Sequence, residues 1–195
     1  MIFKIKNIDF KRLSDEKLMQ ALQNGEVKAF DEIYFRYQSR MLYYFFRMLG
    51  SNKEIAEDFL QETFFKILNK PHLYDPKKPF STWIFSIAHN LCKNEYRSRS
   101  VRSIIVGEEN PDKFLCCQEN NTKQIETEQI FKILDDFDEI HKSVFLLKYR
   151  EGFSIDEICE VLNIPKGTVK SRLHYTKLQL KEKLSKQFYN QELNF

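Results

Sequence analysis

The stretch from Ser154 to Leu184, SIDEICEVLNIPKGTVKSRLHYTKLQLKEKL, carries the densest set of groups able to do chemistry in this chain. From 166 to 186 there are seven Lys or Arg and one Glu, a local balance of +6. Such a charge neutralises phosphates and releases their counterions, so binding weakens steeply with salt. Ser154 is placed to cap a helix holding Ile155, Ile158, Val161 and Leu162. The run from Asn163 to Gly167 cannot continue that helix, because Pro165 lacks an N–H and Gly167 supplies freedom at the turn. Thr168 then starts a second helix with an inward stripe of Val169, Leu173, Thr176, Leu180 and Leu184. A short helix, a tight turn and a longer basic helix make a helix-turn-helix, which lays its second helix in the major groove. An ordinary helical hairpin with a solvated basic face is the competing reading, and the Pro-Lys-Gly turn weighs against it. Lys170, Ser171 and His174 point away from the stripe and are candidates for base edges. Arg172, Tyr175, Lys177 and Lys181 lie at the flanks of the helix and suit phosphates. One Lys or Ser contact discriminates between bases by ~1–3 kcal/mol at best, so specificity needs a second reading site.

A second constellation lies in the first half. The loop from Lys70 to Phe80 carries Tyr74, Lys77 and Lys78, and opens onto a helix ending NLCKNEYRSRSVR. Aromatic rings beside cations suit unstacked bases, since rings stack on bases while Lys and Arg track the backbone. Asn90, Lys93, Asn94 and Arg97 share the polar side of that helix, and Asn can read an adenine edge. Phe80 and Trp83 read as core anchors instead. A third group, Asp58, Gln61, Glu62 and Phe65, falls on one face of the preceding helix. An acidic and amide face beside an exposed ring suits a basic partner.

The elements that must position these groups are all helical. Ser14 heads a short helix with Leu18, Ala21 and Leu22 on one face, ended by Gly25. A long helix runs from about Val27 to Leu49 with Val27, Phe30, Tyr34, Tyr37, Met41, Phe45 and Met48 as its apolar positions, and Gly50 stops it. A third helix over 53–69 buries Ala56, Phe59, Leu60, Thr63, Ile67 and Leu68. Three prolines between 70 and 79 make a loop, after which Ser81 caps a helix to about Arg97 on Phe80, Ile84, Ile87 and Leu91. Periodicity fades from Ser98 to about Lys123, with a short turn expected near Phe114, and returns over 125–137 and 140–149. The expected fold is therefore all-α, with two small helical domains joined by a flexible linker. Domain bounds are 1–100 and 125–186, with an acidic linker at 101–124 and a tail at 187–195.

Charge follows the same division. Residues 1–103 sum to +6, 104–139 to −7 and 140–195 to +4. Two basic blocks flank an acidic one, as expected of two nucleic-acid-facing units on an acidic connector. With 5 Gly and 5 Pro in 195 residues, a loop-rich β architecture is excluded. No 18-residue apolar run or signal-peptide core is present, and Cys92, Cys116, Cys117 and Cys159 form no CxxC, so reduced thiols in the cytoplasm are expected. No phosphate-cradling, zinc-protease or nucleophile-elbow motif appears, so neither a catalytic residue nor a small-molecule substrate is expected. His89 and Cys92 stand three apart on a helix, and read as a helix surface beside a core thiol. No metal and no cofactor is expected.

Three stretches, AEDFLQETFFKI, FSTWIFSIAHNLCKNEYR and the carboxy-terminal one above, resemble bacterial sigma factors of the sigma-70 family. The layout of two domains resembles the extracytoplasmic-function group. The resemblance covers about residues 14–100 and 125–186. It implies a transcription initiation factor, acting in the cytoplasm and at the nucleoid when in holoenzyme. Asp58, Gln61, Glu62 and Phe65 match the surface that grips the clamp-helix coiled coil of core RNA polymerase. The loop with Tyr74, Lys77 and Lys78, and the face of Asn90, Lys93, Asn94 and Arg97, match the part that melts the −10 promoter element. Lys166, Thr168, Lys170, Ser171, Arg172, His174, Tyr175 and Lys177 match the part that reads the −35 element. Promoter DNA and an anti-sigma factor, often membrane-bound, are further implied partners. The acidic linker would run near the polymerase active-site channel, as a strand mimic or a plain tether. His174 departs from the usual pattern, and the tail FYNQELNF and Cys116-Cys117 have no counterpart. The competing reading is a free-standing helix-turn-helix regulator that binds an operator as a dimer.

Overall fold

The computed structural model describes residues 9–106 and 129–192, with side chains placed for 9–102 and 129–186. The expected helical turn near Phe114 and the Cys116-Cys117 pair lie outside the described residues. Four helices build the amino-terminal bundle: α1 (Asp15–Gln23), α2 (Lys28–Met48), α3 (Lys53–Asn69) and α4 (Phe80–Val106). Ser14 caps α1 by accepting from the Lys17 N–H, and Asn52 caps α3 through the Ile55 N–H. Gly25 and Gly50 take φ of +91° and +80°, the left-handed geometry that ends α1 and α2.

The core of the bundle is aromatic. Tyr37, Tyr44, Phe45, Phe80 and Phe85 are fully buried, and their rings meet edge to face. On α2 the buried stripe is Ala29, Ile33, Tyr37, Met41, Tyr44, Phe45 and Met48. Val27 and Tyr34 stand on the exposed side, because starting the count at Val27 rotates the expected stripe off the true one. On α3, Ala56, Leu60, Thr63 and Ile67 are buried as expected, Phe64 joins them, Phe59 is half-buried and Leu68 is exposed.

Helix α4 departs most from expectation. It starts at Phe80, after Pro79, so Ser81 lies inside its first turn. The Phe80 N–H donates to the Glu16 carboxylate of α1 at 3.3 Å, a cap supplied from another helix. It also continues to Val106 through the polar run SRSVR, where a linker was expected. Glu95 holds that extension by accepting from Arg99 and Arg102, one and two turns on.

The carboxy-terminal unit comprises a helical stretch at 129–134, then α5 (Glu139–Phe145), a π-helical turn at Leu146–Arg150, α6 (Ile155–Leu162) and α7 (Lys166–Glu192). Ser154 and Glu157 form a reciprocal capping box at the start of α6. The turn after it relies on Asn163, in the left-handed conformation at φ +53°, while Gly167 already lies within α7. The helix begins at Lys166 rather than Thr168, since Pro165 is well suited to precede a first turn. Its buried stripe is Val169, Leu173, Thr176 and Leu180, with Leu184 half-buried.

The two units pack against one another. Helix α6 lies on α4, and α5 lies on α2 and α4. Phe85 of α4 meets Phe153 edge to face at 5.3 Å. The buried Ser143 hydroxyl of α5 bridges Tyr44 Oη at 2.6 Å and His89 Nδ1 at 3.0 Å. Burial, reinforced by the charge of Lys93, lowers the pKa of His89 to about 4 from an ordinary 6.5. The unfolded chain therefore binds a proton near pH 6.5 that the folded chain refuses until about 4. Stability is full above pH 6.5 and falls as pH drops through that window. Between pH 7 and 4.5 the wild type is expected to lose about 2 kcal/mol more than His89→Gln, read by urea unfolding.

Candidate nucleic-acid interface

Thr63 and Phe64 are buried against the bundle and Ile67 below them, so the rest of the α3 surface must face outward. Asp58, Gln61, Glu62 and Phe65 are all exposed, and the Phe65 ring is 68% exposed. Glu62 pairs with Lys66 one turn on at 2.8 Å, and no ion pair involves Asp58 among the described residues. The expected face exists as a continuous surface with a large apolar group at its edge.

The loop between α3 and α4 is a built structure. After a 3₁₀ turn at Pro71–Leu73, the Tyr74 ring turns inward and is 2% exposed. It packs on Phe80 and Trp83, and its hydroxyl donates to the Lys78 carbonyl at 2.6 Å. Burial pushes its pKa up to about 12, so it stays a neutral donor. The Gln23 side-chain amide donates to the carbonyls of Pro71 and Tyr74, which ties the loop to α1. Asp75 accepts from the Lys77 N–H. Tyr74 offers no ring face to a base, in contrast to its expected role; it shapes the loop that displays Lys77 and Lys78, which are exposed. The residues missed by sequence reasoning are these props, Gln23 and Glu16, which lie some 50 to 60 positions away in the chain. Phe80 and Trp83 are core anchors as expected, Phe80 fully buried and Trp83 half so.

Along α4, Asn90, Lys93, Asn94 and Arg97 are exposed, while Ala88, His89, Leu91 and Cys92 are buried. The polar face is thus one continuous stripe. Among the described residues no group of three His, Cys, Asp or Glu side chains is placed to hold a metal.

On α7, Lys170, Ser171 and His174 are exposed together, with Tyr175 and Lys177 beside them. The Ser171 hydroxyl donates to the Thr168 carbonyl at 3.0 Å, which leaves its lone pairs outward. Lys166 is exposed and paired with Asp156 of α6 at 2.7 Å. Arg172 is half-buried, and its guanidinium donates to His141 Nε2 at 3.4 Å. His141 Nδ1 in turn lies 2.7 Å from the Asp138 carboxylate, which orients the ring. Arg172 therefore buttresses α7 on α5 rather than standing free at the flank. No described helix is long and apolar enough to cross a membrane.

Residues 33–102 match the family described as Sigma-70 region 2, and residues 133–180 match Sigma-70, region 4. The ECF RNA polymerase sigma factor SigW of Bacillus subtilis (strain 168) is 30% identical over 187 residues, which is 87% of this chain and 96% of that protein. The chain belongs to the ECF RNA polymerase sigma factors. The ECF RNA polymerase sigma-E factor of Haemophilus influenzae is 29% identical to this sigma factor over 184 residues, 89% of this chain and 96% of that one. Two solved structures share its fold. RpoE, in co-crystals with the anti-sigma factor NepR from Bartonella quintana, has a TM-score of 0.72 at 20% identity, covering 82% of this chain and 98% of that one. CnrH, in complex with the cytosolic domain of CnrY, has a TM-score of 0.67 at 21% identity, covering 88% and 97%. This sigma factor is a transcription initiation factor, and the dimerising operator-binding regulator is set aside.

Proposed function

We propose that this sigma factor grips core RNA polymerase with α3, melts the −10 element with the 70–80 loop and α4, and reads the −35 element with α7. The observation that carries this reading is the separation of three exposed surfaces on three helices. The α3 face is acidic with an apolar edge; the α4 face carries cations and two amides, and the α7 face is cationic. Residues 1–100 then form the polymerase-binding and −10 unit and 125–186 the −35 unit, with 101–124 between them and 187–195 as a tail. Asn90 and Asn94 suit adenine edges on the opened strand, while Lys77, Lys78, Lys93 and Arg97 follow its phosphates. Lys170, Ser171 and His174 meet base edges in the −35 duplex; Lys166, Thr168, Tyr175 and Lys177 meet its backbone. Neither DNA surface suffices alone. Core polymerase fixes their spacing, which turns two weak contacts into one strong one by effective concentration. No chemical step is assigned to the chain, and its place of action is the cytoplasm. The solved structure of RpoE with the anti-sigma factor NepR supports a partner of that class here, membrane-bound or soluble.

The test is run-off transcription from a promoter library by core polymerase stripped of sigma, with and without this chain. Appearance of discrete start sites only with the chain is the expected result; binding of short duplexes as a dimer, with no effect on core, would overturn the reading. Within the −35 unit, Lys177→Ala is expected to weaken holoenzyme binding to all promoters alike and to lower the slope of log K against log salt by about 0.9. Lys170→Ala is expected to relax preference at a single base pair as well. Both are read by titrating salt from roughly 50 to 200 mM.

A further inference from the structure

Helix α1 carries none of the three surfaces above, and the match to Sigma-70 region 2 begins at residue 33, after α1 has ended. Two of its side chains nevertheless hold the loop assigned to the −10 strand. In the last turn of α1, the Gln23 side-chain amide donates to the Pro71 carbonyl and to the Tyr74 carbonyl, each at 2.9 Å. Two turns earlier on the same face, the Glu16 carboxylate accepts from the Phe80 N–H at 3.3 Å. One face of α1 thus grips the loop at its start, at its middle and at its end, and α1 packs on both the 71–73 turn and α4. The composition of the loop explains why the grip comes from outside. Pro71, Pro76 and Pro79 carry no N–H, so the loop has fewer donors than carbonyls. Its own bonds are local. The Lys78 N–H donates to the Asp75 carbonyl, the Lys77 N–H to the Asp75 carboxylate and the Tyr74 hydroxyl to the Lys78 carbonyl. These shape the tip without fixing where it stands on the bundle. Among the described residues the Tyr74 carbonyl has no donor except Gln23.

We infer that Gln23 is a positioning residue for promoter opening: its amide sets where the 70–80 loop presents Lys77 and Lys78 to the unpaired −10 strand, which makes α1 part of the melting site. This rests on the assignment of that loop to the −10 element. Gln23 acts through the loop and not on DNA. It is half-buried, and both hydrogens of its amide are used on the two carbonyls, so no donor is left for a phosphate or a base. A glutamine suits this task because one NH₂ group meets two acceptors at once and fixes two peptide planes together. An apolar side chain at 23 could fill the same space and leave both planes free to turn. A loop held beforehand need not be ordered when the strand arrives, so its cations bind more tightly than the same cations on a slack loop. Tyr74 contributes the apolar half of the same device, since its ring anchors the loop on Phe80 and Trp83 while Gln23 anchors its backbone on α1.

The test compares wild type, Gln23→Glu and Gln23→Lys, each as the full chain in holoenzyme. Glutamate keeps the shape of glutamine and removes both donors; lysine changes the shape and keeps donors on a stem long enough to reach the carbonyls. Two probes are titrated, a fluorescent single strand carrying the −10 region and a duplex carrying the −35 region of one promoter recovered by run-off transcription. Gln23→Glu is expected to bind the single strand about tenfold more weakly, and the duplex within about twofold of wild type. Gln23→Lys is expected to stay within about threefold of wild type on both probes. Gln23→Ala, which removes the donors without setting a charge against the carbonyls, is expected to match Gln23→Glu. A residue that merely fills space gives the reverse order, with lysine worse than glutamate, and that order overturns the inference. So does a folded Gln23→Glu or Gln23→Ala that binds the single strand as wild type does. Lys77→Ala/Lys78→Ala separates the two levels. If that pair weakens single-strand binding while the Gln23 variants do not, the role of Gln23 alone falls; if the pair has no effect, the loop assignment falls and the inference with it.

Discussion

Asp58→Arg/Glu62→Arg is expected to lower the affinity of this sigma factor for core RNA polymerase by at least ~100-fold, read by co-purification at moderate salt. Both side chains are exposed on one turn of α3, and neither touches the buried stripe formed by Leu60, Thr63, Phe64 and Ile67. Losing an exposed charge pair would cost only ~0.2–1 kcal/mol, too little for such an effect. Reversal acts differently, because it places two guanidinium groups against a basic partner, and like-charge juxtaposition costs several kcal/mol. The local price is small: the Glu62–Lys66 pair, about 0.3–0.5 kcal/mol, is lost. Helical content and thermal midpoint are therefore expected to stay near wild type. Phe65→Ala is the companion variant, since its 68% exposed ring is the apolar anchor at the edge of the face. A double mutant that still co-purifies would move the polymerase contact elsewhere.

Most of the helix order was readable because it depends on local rules. Ser154 and Glu157 announce a capping box, Gly25 and Gly50 announce left-handed stops, and the 53–69 helix has the bounds its periodicity predicts. The α7 face was readable too, since Val169, Leu173, Thr176 and Leu180 fix which side is inward. What stayed hidden depends on residues far apart in the chain. Glu16 caps α4, Gln23 holds the 70–80 loop and His141 holds Arg172; no periodicity reports such contacts. The polar end of α4 was hidden for another reason. Its support is the Glu95, Arg99 and Arg102 cluster on an exposed helix surface, where apolar spacing carries no signal. Tyr74 shows the same limit in a site residue. A tyrosine among lysines reads as a stacking platform, and only the fold shows the ring turned onto Phe80 and Trp83.

Phe80→Ala is expected to destabilise the amino-terminal bundle by ~3–5 kcal/mol, a large share of a domain's total of about 5–15. Phe80 is fully buried where α2, the 70–80 loop and α4 meet. Its ring lies 5.1 Å from Tyr37, 5.6 Å from Tyr74 and 5.8 Å from Trp83. Truncation removes the shared partner of three rings, and the cavity cannot close without moving the start of α4, whose N–H is fixed on Glu16. The thermal midpoint is expected to fall by about 10 °C. Trp83→Phe, at a half-buried position, is expected to cost less than ~1.5 kcal/mol. The pair of variants also separates a core anchor from a base-stacking ring. Below its lowered midpoint, Phe80→Ala should bind −35 duplex in holoenzyme as the wild type does. Its grip on −10 single strand should weaken, because Tyr74 loses its packing and the Lys77–Lys78 tip loses its position. Wild-type stability combined with lost −10 binding would place Phe80 against DNA and overturn the reading of this cluster as scaffold.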